Sequence, residues 1–116
     1  MNEVKITVGG EMENAASVRF INAWHRAERG ETFHERHMAF ENRDTLVRVL
    51  TGKRMELLRH VRRDPAASIR ALATALGRDY RNVHADVQAL VDAGLLDATD
   101  NGVRADYDVI ETTIAI

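Results

Sequence analysis

Between Ser68 and Gly102 the apolar positions keep a helical period through two successive segments and then switch to strand alternation. Ile69, Leu72, Ala73 and Leu76 recur at i, i+3, i+4 and i+7, which places all four on one face of a helix. Ser68 is the natural N-cap of that helix, and Gly77 supplies the positive φ that closes it. Asp79 then stands as N-cap of a second helix. A turn this short makes the two helices cross steeply. The second helix turns Val83, Val87, Leu90 and Val91 inward and stops at Gly94, with Leu95 positioned to touch Leu90 in a Schellman cap. Beyond Gly94 the period becomes two. Asn101-Gly102 is the pair that a type I′ turn favours, so residues 96–99 and 103–107 are predicted as the arms of a hairpin. Helix, tight turn, helix, hairpin is the order of a winged helix-turn-helix.

The first third of the chain carries a different pattern. Val4, Ile6 and Val8 alternate with Lys5 and Thr7, predicting a strand ended by Gly9-Gly10. Ala16, Phe20, Ile21, Trp24 and Ala27 then fall at helical spacing before Gly30, and Arg36 to Glu41 alternates again with Met38 and Phe40 on one side. Asn42 can cap a short helix from Arg43 to Leu50, and Thr51 can cap the next, in which Met55, Leu58 and Val61 face inward. The tail VIETTIAI puts Ile110, Thr112, Ile114 and Ile116 on one face of a last strand. Its default neighbour is the N-terminal strands, and a second copy or a partner sheet is the alternative. The expected fold class is therefore α+β. A strand-helix-strand unit at 1–42, too small to hold a core alone, precedes a winged-helix module at 43–116 that includes the tail.

At 116 residues without cysteine, the chain needs no disulfide framework and offers no thiolate zinc site. The first residues lack the basic-then-apolar pattern of a signal peptide, and no run approaches a membrane span, so a cytoplasmic protein with no membrane partner is expected. The net charge of -2 hides an uneven distribution: 7 basic and 8 acidic groups in residues 1–51, 8 and 4 in 52–91, and 1 and 6 in 92–116. Much of the basic excess in 52–91 sits in the predicted helix GKRMELLRHVRR that precedes the helical pair, and a modest excess of this kind calls for a dimer's doubled contact area to hold DNA at physiological salt.

Counting about 100° per residue around the second helix, Arg81, Ala85, Gln88 and Asp92 lie opposite the apolar stripe, with Asn82 and His84 on the flanks. Arg can fork onto guanine, Asn or Gln onto adenine, and an Ala methyl can meet that of thymine. Arg81, Asn82, Ala85 and Gln88 are the candidates for base contact. Arg78 and Ser68 are candidates for phosphates, and Arg104 for the wing's contact to phosphate or minor groove. Lys53, Arg59 and Arg63 add phosphate candidates; Arg59 and Arg63 form an i, i+4 like-charge pair that an anion would relieve. Tyr80 lies angularly nearer the core stripe and is expected to pack there. His84 is read as an ordinary surface histidine. Asp86 and Asp92 are expected to oppose phosphate and mark the edges of the contact area. No catalytic constellation and no cofactor is indicated. His34 and His37 in HERH lack a further metal ligand at a defined spacing, and the acids Asp97, Asp100, Asp106 and Asp108 lack the EF-hand pattern, so no metal site is expected.

Residues 46–116, and above all the run LGRDYRNVHAD from Leu76 to Asp86 and the closing Tyr107-Asp108-Val109-Ile110-Glu111, resemble a family of small prokaryotic winged-helix proteins. Its members are described as MarR-like predicted transcriptional regulators or DNA-binding proteins. The chain departs from the family in having Gly52 where a proline often follows the capping threonine. The resemblance implies a double-stranded DNA partner and places Arg78, Tyr80, Arg81, Asn82 and His84 in the reading segment. It also implies a specific role as the antitoxin of a toxin-antitoxin pair, with a cognate toxin as partner. The expected function is a non-enzymatic, homodimeric, sequence-specific transcriptional repressor. The alternative is a protein-interaction module that uses the winged helix as a scaffold.

Overall fold

The computed structural model describes residues 2–9 and 34–116, and the helix predicted around Phe20 and Trp24 lies outside them. In chain order these residues form β1 (Asn2–Val8), β2 (His34–Phe40), α1 (Arg43–Val49), α2 (Gly52–Arg63), α3 (Ile69–Leu76), α4 (Tyr80–Asp92), β3 (Asp97–Thr99), β4 (Gly102–Arg104) and β5 (Val109–Ile114). The architecture is α+β and divides into two compact units, Met1–Leu46 with Tyr107–Ile116, and Val47–Asp106.

The first unit is a parallel sheet in the order β2-β1-β5. Strands buried on a face read as β-branched apolar runs, and Val4, Ile6 and Val8 at the sheet's centre are fully buried. Register places Met38 and Thr112 beside Ile6, and Phe40 and Ile114 beside Val8. The tail therefore pairs within the chain, as the default reading has it. This changes the boundaries expected from the sequence: the last strand belongs with the N-terminal strands and not with the helical module, and the division falls at 46/47, not 42/43. The physical reason is that a central parallel strand has two hydrogen-bonding edges, and β5 fills the one that β2 leaves open. The apolar tail face is only partly covered, with Ile110 half-buried and Ile114 half exposed.

The second unit is built around α4. Val83, Val87 and Leu90 are fully buried, and α3, α2 and β3 all pack against this helix. Leu57, Leu58 and Val61 supply the inner face of α2, with Met55 half-buried. The local punctuation follows the residue chemistry. Asn42 Oδ1 accepts from Thr45 N at 3.0 Å, Thr51 Oγ1 from Arg54 N at 3.3 Å, and Ser68 Oγ from Ala71 N at 3.0 Å. Gly77, at φ 64, closes α3, with Arg78 N donating to Ala73 O at 3.0 Å. At the end of α4, Leu95 N donates to Leu90 O and Gly94 N to Val91 O, the two bonds of the predicted Schellman cap. Asp79 holds the N-cap position of α4, but its side chain makes no capping bond.

The hairpin departs from expectation by one residue. Thr99 pairs with Gly102, so Asp100-Asn101 form the connection and Asn101 does not have a positive φ. The strands are also shorter than predicted, three residues each. Gly102 is needed for another reason. Its φ is 115, and a Cβ there would fall inside the carbonyl oxygen of Ala66. Ala66 and Val103 exchange both backbone hydrogen bonds, at 3.1 and 2.8 Å, so β4 has a neighbour on each side.

Candidate functional site

The second unit presents α4 with its N-terminal half exposed. Leu72 and Ala73 on α3 and Val83, Val87 and Leu90 on α4 are buried, which fixes the rotation of both helices about their axes. Gly77, Arg78 and Asp79 are the whole connection between them. That rotation leaves Arg81, Asn82, His84, Ala85, Gln88 and Asp92 exposed, as the angular count requires. Among the described residues, the side chains of Arg81 and Asn82 have no hydrogen bond or ion pair. Gln88 is different: its Nε2 donates to Asp92 Oδ1 one turn later, at 2.9 Å. Its amide is thus drawn along the helix toward the C-terminal end.

Arg78 and Asp86 reverse the roles expected of them. Asp86 is half-buried and lies between two guanidinium groups: Arg78 Nη2 donates to Oδ2 at 2.8 Å and Arg54 Nε to Oδ1 at 3.1 Å. The side chains of both arginines are only 20% exposed. Arg54 extends the chain of bonds, its Nη1 donating to the carbonyls of Arg48 and Val49 at the end of α1. Arg78 Nη1 is buried without a partner. Arg78 is therefore not offered to phosphate, and Asp86 does not fringe the surface as a repelling charge. The carboxylate ties α4 to α2 and to the α3–α4 turn.

Tyr80 also departs from the expectation of core packing. It is 37% exposed, and the guanidinium carbon of Arg70 lies 4.5 Å from its ring centroid. The His84 ring, one turn along α4, stands 5.8 Å away at a tilt of 50°. Arg70, on α3, was not distinguishable by sequence pattern from other solvated arginines. Its position two residues after the capping Ser68 was the available signal.

The remaining candidates lie apart from this row. Ser68 is exposed and caps α3, Arg104 is exposed at the end of β4 opposite Asp97, and Lys53 is exposed in the first turn of α2. Arg59 and Arg63 are exposed and lack a carboxylate partner among the described residues. Arg63 Nε donates to the Arg59 carbonyl at 3.3 Å, and the basic last turn of α2 complements its helix dipole. Among the described residues no three histidine or carboxylate side chains are grouped to hold a metal, and no helix is long and apolar enough to cross a membrane.

The class defined by this arrangement is an α+β protein whose exposed, cation-bearing helix rests on two further helices and a short strand. Within that class the chain belongs to the HVO_A0114 family, whose family model matches residues 49–112 and so covers α2 to α4, the hairpin and most of β5. No curated protein matches the chain.

Proposed function

We propose that the chain is a non-enzymatic, sequence-specific DNA-binding transcriptional regulator, acting as a homodimeric repressor in the cytoplasm. In this reading Val47–Asp106 is a winged helix-turn-helix, α4 enters the major groove, and the β3–β4 hairpin is the wing. The observation that carries it is the row Arg81, Asn82 and Ala85: exposed, near the N-terminal end of α4, and without internal partners for the two polar side chains among the described residues. Those side chains match guanine, adenine and thymine edges. Arg59, Arg63, Lys53 and Arg104 supply sequence-independent attraction to phosphates.

Fluorescence anisotropy with duplexes from the chain's own upstream region tests the reading. Tight binding is expected at low salt, with half-sites about 34–36 Å apart or a multiple of that spacing. Arg81→Ala and Asn82→Ala should each relax preference at one base position by about 1–3 kcal/mol, while Arg59→Ala should lower affinity for every sequence alike. Absence of duplex binding at low salt refutes the regulator. If the protein then recruits a protein partner with no dependence on salt, the protein-interaction module stands in its place.

A further inference from the structure

We infer that Arg70, held over the Tyr80 ring, is a phosphate-binding residue that anchors α3 to the DNA backbone beside the reading helix. The inference rests on the DNA-binding reading and adds a contact to it. Three observations point to an anion. The guanidinium carbon of Arg70 stands over the Tyr80 ring, 4.5 Å from its centroid, a contact that consumes none of the five N–H donors. None of those donors has a hydrogen bond or ion pair among the described residues, whereas the guanidinium groups of Arg54 and Arg78 both meet Asp86. Tyr80 is itself braced by His84 on the same helix, so the stack joins α3 to α4 at the start of the exposed face.

A base is the poorer ligand for this stack, because the guanidinium already stands over the ring and the His84 imidazole lies close beside it, 5.8 Å between centroids. A phosphodiester, by contrast, matches the free edge of a planar fork in two parallel hydrogen bonds. Stacking holds the guanidinium in one orientation before DNA arrives, which lowers the ordering cost of the contact. Tyr80 is then a positioning residue and Arg70 the contact.

The test is the salt dependence of binding for the full chain and its variants, on the upstream duplex and on a scrambled duplex of equal length. Each phosphate contact contributes a slope of about −0.9 in log K against log salt. Arg70→Ala should therefore flatten the slope by about 0.9 on both duplexes, so that raising salt from 50 to 200 mM weakens binding roughly 3.5-fold less than in the parent. Arg70→Lys should keep the slope. Tyr80→Ala should weaken binding about two- to fivefold, and Tyr80→Phe, which keeps the ring, should restore parental affinity. Both residues are exposed, so thermal melts should show all four variants folded. An unchanged slope in Arg70→Ala overturns the assignment, as does a loss confined to the upstream duplex, which would make Arg70 a base reader. If the parent chain binds neither duplex, the regulator reading falls and this contact with it; if the parent binds and the slope is unmoved, this contact alone is wrong.

Discussion

Replacing Asp86 by alanine removes the carboxylate between Arg54 and Arg78, and the two possible roles of this residue predict opposite outcomes. Taking one partner from a fully buried ion pair costs about 3–5 kcal/mol, and an exposed pair is worth about 0–1 kcal/mol. The Asp86 side chain is 15% exposed and its partners 20%, which places both pairs toward the buried end. Two charge-assisted bonds, of 3.1 and 2.8 Å, are lost together, and Arg78 already has one buried nitrogen unsatisfied. A loss of about 2–4 kcal/mol follows, which at about 4–8 °C per kcal/mol is a fall of roughly 8–32 °C in Tm. Urea unfolding followed by circular dichroism reads the value directly, the midpoint moving while the m-value stays fixed. Cycles combining Asp86→Ala with Arg54→Ala or Arg78→Ala should return coupling energies of about 0.5–3 kcal/mol. Were Asp86 instead an exposed charge facing phosphate, Asp86→Asn would leave stability within about 0.5 kcal/mol and tighten duplex binding. That pair of results would refute the structural role.

Other substitutions probe the frame and the face. Gly102→Ala forces a side chain into positive φ and against the Ala66 carbonyl, and should cost about 2–5 kcal/mol in urea unfolding. Gly52→Ala meets open space at the start of α2 and should be neutral or raise stability by about 0.4–1 kcal/mol in the same measurement. Ile6→Ala, at a fully buried position in β1, should cost about 2–5 kcal/mol and lower hydrogen-exchange protection in the amides of β2 and β5. Gln88→Ala should change base preference less than Asn82→Ala in competition binding, because Gln88 is tethered to Asp92.

What the sequence makes legible is local. Ser68, Thr51 and Asn42 cap their helices, and Gly77 and Gly94 end theirs, because each rule involves residues within one or two turns. The rotation of α4 was equally legible, since the spacing of Val83, Val87 and Leu90 fixes which side chains turn outward. The misreadings share a cause in contacts between distant segments. Asp86 looks like a surface acid until Arg54, 32 residues away, closes on it. Gly102 resembles a turn residue until Ala66 is brought against it. Tyr80 leaves the apolar stripe because α3 offers it the cation of Arg70, and β5 joins the first unit because β1 has an edge to fill.

The position of β1 also bears on how the molecule is made. Its partner β5 follows it by about a hundred residues, a separation of the kind associated with slow folding. During synthesis the nascent chain would hold Val4, Ile6 and Val8 ready on one flank long before the closing strand leaves the ribosome. In that interval the unfinished flank is a template for any extended peptide nearby. Yield in a cell should therefore track elongation speed and chaperone supply more closely than it tracks the resistance of the finished fold to denaturant.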